Sequence, residues 1–92
     1  MSRWHVYLVR CRDGSLYAGI TTDIIRRVRE HNSGSGAKYT RSRRPVMLVW
    51  SEAKRSESYA RKREAEIKSL TKMEKENLLK KKCPIKRIST RS

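Results

Sequence analysis

Acidic residues are scarce in this 92-residue chain: nine Asp and Glu stand against 24 Lys and Arg, a formal charge of +15. So lopsided a balance repels itself unless an anionic partner offsets it, and nucleic acid is the commonest polyanion to do so. A membrane surface is the other candidate, and it fails on a second absence, because no apolar run approaches the roughly 20 residues of a spanning helix. No signal peptide opens the chain either, so a cytoplasmic place with no membrane partner is expected. Cysteine is limited to Cys11 and Cys83. Neither has a second ligand at metal-site spacing, which argues against a structural zinc, and two reduced thiols are expected in preference to a bridge. Internal repeats are lacking. At this length, with 36% hydrophobic residues, the chain makes one domain with a single modest core and no large cavity.

Against that background, the stretch from Leu16 to His31 organises the chain. Leu16, Ala18 and Ile20 alternate with Tyr17 and Gly19, the period of a strand. Thr21 or Thr22 can then cap a helix with Asp23 in its first turn, where a negative charge suits the positive helix end. At about 100° per residue, Ile24, Val28 and His31 share one face, with Arg27 on its flank. Arg27 and His31 lie one turn apart and address the same space. Two polar groups beside a small apolar face mark a candidate site. Upstream, Trp4 to Cys11 is rich in β-branched and aromatic residues and reads as the first strand. Asp13-Gly14 in the connection is a hairpin signal, since glycine accepts positive φ at low cost. The two strands therefore pair antiparallel and bring Tyr7 and Tyr17 close.

Asn32 to Gly36 reads as a flexible connector, too glycine-rich for helix or strand. Beyond it, Lys38, Arg41, Arg43 and Arg44 surround Tyr39, Thr40 and Ser42. Basic side chains interleaved with an aromatic ring and hydroxyls suit phosphate contacts and base stacking, which makes Lys38, Tyr39, Arg41, Arg43 and Arg44 the candidates for nucleic-acid binding. After Pro45, the continuous apolar run Val46 to Trp50 reads as a buried third strand. Ser56 caps a second helix that runs to about Leu70, with Tyr59, Ala60, Ile67 and Leu70 along its apolar stripe. Glu64 falls inside that stripe. An acid there needs a compensating cation, and two are on offer: Arg27 in a core salt bridge, or a divalent ion of the magnesium type, commonly held by one or two carboxylates plus water and phosphate. On the residues alone the salt bridge is the plainer choice. Thr71-Lys72-Met73-Glu74 matches a capping box and starts a third helix. Met73, Leu78 and Leu79 can cover the sheet, and Lys80 to Lys82 sit at the negative helix end. Pro84 ends that helix. The fold expected over residues 4–82 is α+β (α/β), a small three-stranded antiparallel sheet flanked by helices in the order β-β-α-β-α-α, followed by a basic tail at 83–92.

Taken in order, Tyr7, Tyr17, Arg27, His31 and Glu64 make a set, and the chain that carries them resembles the GIY-YIG nuclease superfamily. His5-Val6-Tyr7 stands at the first tripeptide and Tyr17-Ala18-Gly19 at the second; Arg27 lies eight residues after Gly19, His31 one turn further, and Glu64 on the later helix. His5 and Val6 replace the Gly-Ile of the first motif and Ala18 the Ile of the second, with both tyrosines kept. Asn77 stands one residue out of register for the family's third-helix asparagine and is left outside the site. The resemblance spans Trp4 to Leu79 and is greatest toward small stand-alone endonuclease-type members, in which a block similar to Gly36-Ala37-Lys38-Tyr39-Thr40 occurs.

That resemblance implies a metal-dependent endonuclease that hydrolyses phosphodiester bonds in DNA, directed by structure rather than sequence, with one divalent ion, magnesium or manganese. A monomer is expected. Under it Tyr7 is the general base, its phenol made more acidic by nearby cations. Tyr17 and His31 position or share the proton, Arg27 clamps the scissile phosphate, and Glu64 holds the ion. The alternative on the same fold is a non-catalytic DNA- or RNA-binding module. A ribosome-associated structural protein would explain the charge but not an acid on an apolar stripe.

The charge balance generates the first expected outcome. Fluorescence anisotropy should report binding to duplex and branched DNA that weakens steeply between about 50 and 200 mM salt, through counterion release. Binding that ignores salt, or is absent at low salt, would remove the nucleic-acid reading.

Overall fold

Strand β1 (Trp4–Arg10) takes the middle of the sheet, with β2 (Leu16–Thr21) on one side and β3 (Met47–Lys54) on the other, both antiparallel to it. Its sequence explains the placement. Val6, Tyr7, Leu8 and Val9 are all buried, so a strand with apolar residues on both faces must be covered on both. Val6 and Leu8 pack with Leu16, Ala18, Trp50, Ala60 and Ile67 on the side of α3 (Glu57–Lys68) and α4 (Lys72–Lys82). Tyr7 and Val9 pack with Cys11, Val46, Tyr17 and Val28 on the side of α1 (Ile24–Ser33). A four-residue helix, α2 (Lys38–Arg41), lies inside the basic loop, an addition to the expected element order. The computed structural model describes residues 3–82; the tail expected at 83–92, with Cys83 and Pro84, lies outside the described residues.

The hairpin closes as Asp13-Gly14 predicts. Gly14 takes φ +87°, and the Cys11 N–H donates to the Ser15 carbonyl at 2.8 Å. The start of α1 differs from expectation. Asp23 itself is the cap, its carboxylate accepting from the Arg26 N–H at 3.1 Å, because Thr21 still belongs to β2 and its hydroxyl accepts from the Asp23 N–H at 3.1 Å. The stretch expected as a flexible connector is a helix end. Helix α1 runs on to Ser33, and Gly34 at φ +91° turns its N–H back to the Glu30 and His31 carbonyls. Further along, Ser56 caps α3 as expected. Thr71 and Glu74 exchange the two hydrogen bonds of a capping box, at 2.9 and 3.1 Å.

The third strand corrects another expectation. Val46 and Trp50 at the ends of the apolar run are buried as expected, but β3 is an edge strand with Met47 68% and Leu48 39% exposed. The register shifts between Leu8 and Val9, so that Leu8 faces Trp50 while Val9 faces Leu48. The bulge this leaves at Val49 sends Trp50 and Leu48 to opposite faces, and Leu48 lines a shallow groove with Ile24, Ile25 and Val28. Met73 likewise does not cover the sheet: it is 73% exposed in the first turn of α4, and only Leu78 and Leu79 reach the core. Helix α4 is held to the end of β1 by a bidentate pair, Arg10 to Glu76 at 2.8 and 2.9 Å.

One side chain fastens the two halves of the site's face. Asn32 accepts from the Val46 N–H at 2.7 Å and donates to the Val46 carbonyl at 3.1 Å, joining α1 to the residue that leads into β3. Asn32→Ala strands both backbone groups of a buried residue and should cost about 1–3 kcal/mol, read by urea unfolding. A midpoint equal to that of the parent chain would show that the pairing contributes nothing.

Candidate active site

The site begins with a missing side chain. Gly19 pairs directly with Tyr7 across the β1–β2 ladder, and a Cβ there would come within 2.5 Å of the Tyr7 hydroxyl. The bare backbone therefore makes the recess in which the phenol lies. Tyr7 is 1% exposed, and its Oη meets His31 Nε2 at 2.9 Å. His31 is the one buried residue of α1, which explains why a helix with so few large apolar residues docks here: the inner face closes on an imidazole. The far ring nitrogen, Nδ1, lies 2.8 Å from Thr40 Oγ1. Gly36 passes so close that a Cβ would collide with the imidazole and with the His31 Cα.

Tyr17 stands diagonal to Tyr7 on the same sheet face and meets His31 edge to face, with ring centroids 5.5 Å apart. Its contact with His31 is ring to ring. Tyr39 stacks on Tyr17 at 5.6 Å and 19°, and the Arg43 guanidinium covers Tyr39 at 3.9 Å. From α3, Lys68 reaches toward the Tyr17 ring, 5.9 Å from its centroid.

Burial sets the protonation states. It pushes the Tyr7 phenol above its ordinary value; the Arg27 guanidinium pulls it back, while Tyr17 and Glu64 push it further up. The expectation of a more acidic phenol is thus reversed in the free protein, because desolvation outweighs Arg27. Burial also drives His31 below its ordinary value, with Arg27 adding to the effect and Glu30 opposing it. At neutral pH both groups are uncharged. Arg27 bonds Glu30 at 2.9 Å through one nitrogen, not Glu64. Glu64, its side chain 19% exposed, pairs instead with Lys68 at 3.1 Å. The core bridge between Glu64 and Arg27 is therefore not formed, and the carboxylate stands near Tyr7 with, among the described residues, the half-exposed Lys68 as its ion-pair partner. Among the described residues no group of three or more His, Cys, Asp or Glu gathers for a metal. An ion held here would rest on Glu64 and take its other ligands from water and phosphate, the habit of magnesium-type ions.

The basic loop divides. Arg43 is committed to the fold, donating to Asp13 at 3.1 Å and to the Tyr39 carbonyl at 2.8 Å. Arg44 donates to the Arg41 carbonyl at 2.8 Å and packs against Gly34. Lys38 and Arg41 are exposed and make no ion pair among the described residues. Thr40, one of the hydroxyls grouped by sequence with phosphate contacts, is fully buried against His31. Thr40 and Gly36 are thus site residues the motifs did not single out; the signal for them was the compact Gly36-to-Thr40 block. Asn77 lines a cleft with Arg63, Leu70, Glu74 and Leu78, outside the site.

A sequence profile of the GIY-YIG catalytic domain matches residues 3–77. The UPF0213 protein DP2720 of Desulfotalea psychrophila is 59% identical over 78 residues, spanning 84% of this chain and 71% of that protein. The UPF0213 protein HQ_3675A of Haloquadratum walsbyi is 57% identical over 79 residues, spanning 85% and 89%. Among solved structures, the solution structure of the UPF0213 protein BH0048 from Bacillus halodurans superposes with a TM-score of 0.59 at 43% identity, covering 100% of this chain and 98% of that one. The protein EF2693 from E. faecalis gives 0.61 at 47%, covering 88% and 86%.

The state of His31 is directly measurable. Its unfolded value is near 6.5 and its folded value lies lower. The neutral imidazole therefore contributes stability that is complete above about pH 6.5 and is lost as the pH falls through the folded value. A proton NMR titration should place the His31 midpoint below 6.5. A midpoint at or above 6.5 would contradict a buried, neutral ring.

Proposed function

The chain belongs to the GIY-YIG catalytic-domain family, and from that premise we propose that it is a metal-dependent endonuclease that hydrolyses phosphodiester bonds in DNA, selecting the shape of its substrate rather than its sequence. The observation that carries the reading is the buried 2.9 Å hydrogen bond between Tyr7 and a neutral His31. It supplies a base at neutral pH without a standing phenolate. The Tyr7 oxygen takes a proton from the attacking water as its own proton passes to His31 Nε2, so the phenol is neutral before and after the step. The water oxygen bonds to phosphorus, the bond to the leaving oxygen breaks, and that oxygen is protonated from solvent, while His31 afterwards returns its proton through Tyr7 to solvent. Arg27 spends one nitrogen on Glu30 and lies beside the Tyr7 hydroxyl; its remaining donors face the phosphate, whose growing charge a planar guanidinium matches. Tyr17 braces the imidazole.

Glu64 is the residue that would hold a magnesium or manganese ion, and its environment fits: one carboxylate, partly buried, with a displaceable lysine as its partner. The chemistry such an ion would supply there is positive charge to offset the charge on the departing oxygen. Substrate affinity comes from the basic loop. Lys38, Arg41 and Arg44 contribute charge to the backbone contact, with Tyr39 offering an edge of its stacked ring, while Arg43 supports Tyr39 from behind. A shallow surface of this kind suits backbone and shape more than base edges.

The test is cleavage by purified protein of labelled duplex, nicked, branched and single-stranded DNA, and of RNA, with and without magnesium or manganese. The variant that discriminates is Glu64→Gln. Metal-dependent cutting should collapse while binding persists. Because the pair with Lys68 is exposed on the lysine side, melting should shift by no more than the 0–1 kcal/mol of a surface salt bridge. Undiminished cutting by folded Glu64→Gln would sink the ion assignment. Binding without cutting by the parent chain on every substrate would leave only a nucleic-acid-binding module.

A further inference from the structure

We infer that Thr40 is a positioning residue: from the far side of the ring it holds His31 in the Nδ1–H tautomer, so that the Nε2 lone pair faces the Tyr7 phenol. A neutral imidazole has one donor and one acceptor, and which nitrogen carries the proton is set by the partners of both. A threonine hydroxyl has one proton. Here Thr40 Oγ1 lies 3.0 Å from the Ala37 carbonyl, a group that can only accept, and 2.8 Å from His31 Nδ1. Both contacts are hydrogen bonds at once only if Thr40 donates to Ala37 and accepts from an Nδ1–H. Nε2 is then bare and accepts from Tyr7 O–H at 2.9 Å.

The other end of the chain of bonds demands the same answer. Were the proton on Nε2, the Tyr7 oxygen would face two donors, that N–H and the neighbouring Arg27 guanidinium. Its own proton would then find no hydrogen-bond acceptor among the described residues. A buried donor left so has lost its solvation with nothing in return, which disfavours that tautomer. With the proton on Nδ1, the chain Tyr7, His31, Thr40, Ala37 runs in one direction and every member is satisfied. The surroundings admit little alternative geometry. Thr40 and His31 are both fully buried, and Gly36 lies too close to the imidazole for any side chain. Thr40 is held in turn because α2, though a single turn, is preceded by Ala37 at its N-cap, whose carbonyl also receives the Thr40 and Arg41 N–H groups at 3.2 and 3.1 Å. The short helix exists in the right place to aim one hydroxyl.

The consequence for chemistry rests on the nuclease reading: only the Nδ1–H tautomer can take a proton from Tyr7. The tautomer itself is a property of the folded chain, measurable without any substrate. In full-length protein labelled with 15N, two-bond nitrogen–proton spectra at about pH 7.5 distinguish a protonated from an unprotonated ring nitrogen, with His5→Gln identifying the signals of the second histidine. The parent chain should show His31 protonated at Nδ1 and bare at Nε2, and Thr40→Ser should keep that pattern. Thr40→Val, similar in shape but without an acceptor, should move protonation toward Nε2. It should also lower the turnover of DNA cleavage by about 100-fold, the low end of what general acid–base catalysis contributes, with DNA affinity unchanged. An Nε2–H tautomer in the parent chain overturns the inference, as does a Thr40→Val protein with an unaltered tautomer. If Thr40→Val fails to fold, the parent and Thr40→Ser spectra still decide. A parent chain that has the Nδ1–H tautomer yet cuts no nucleic acid would overturn the nuclease reading and leave the placement of Thr40 standing.

Discussion

A phenol and an imidazole hydrogen-bonded inside the small core of a 92-residue chain constrain everything around them. Buried polar groups are tolerated only when each finds a partner, and here the partners come from four separate segments. Strand β1 supplies Tyr7, α1 supplies His31, and α2 supplies Thr40 and the carbonyl that completes the chain of bonds. Strand β2 supplies Gly19 as the recess for the phenol. No one of these segments could be shifted by a residue without stranding a donor. The same constraint accounts for the backbone between α1 and α2: Gly34 reverses the chain at positive φ and Gly36 passes over the imidazole. A stretch that is glycine-rich for flexibility and one that is glycine-rich for close approach look identical in composition.

Charge is arranged on a complementary plan. The nine carboxylates are all engaged within the described residues. Asp23 and Glu74 cap helices, and Asp13, Glu30, Glu52, Glu57, Glu64, Glu66 and Glu76 each face an arginine or lysine. What remains uncompensated is positive, which leaves the long-range field of the protein attractive to a polyanion. Glu64 stands apart from the other paired acids because it sits beside the buried Tyr7, its charge is felt there, and its partner is a half-exposed lysine rather than a guanidinium. Tyr39, between Arg43 and Tyr17, carries the contact from the basic loop to the buried pair through stacked rings. Arg43 therefore links the loop to the hairpin turn at Asp13 as much as it adds to the field.

Much of this could be read along the chain because it depends on near neighbours. The β-branched and aromatic run of β1, the alternation of β2, the Asp-Gly turn, the Ser56 cap and the Thr71–Glu74 box are local patterns with local causes, and they hold. The spacing of Tyr7, Tyr17, Arg27, His31 and Glu64 carried the family resemblance, and the profile match over residues 3–77 bears it out. The bulge at Val49, which turns an apolar run into an edge strand with Leu48 and Trp50 on opposite faces, has no signature in composition, since it arises from the register with β1.

What the sequence by itself determined was the set and order of elements apart from α2, and the basic surplus, because propensity, capping and charge are carried by residues close together in the chain. The tertiary structure alone decided which groups meet. It gave Glu64 to Lys68 and not to Arg27, and it turned Arg43 inward to Asp13. It put Thr40 behind His31 instead of in solvent, and it raised the Tyr7 phenol where nearby cations alone would have lowered it. Each of these outcomes depends on burial and on distances between segments far apart in the chain. Desolvation acts on a group only once the fold has taken the water away.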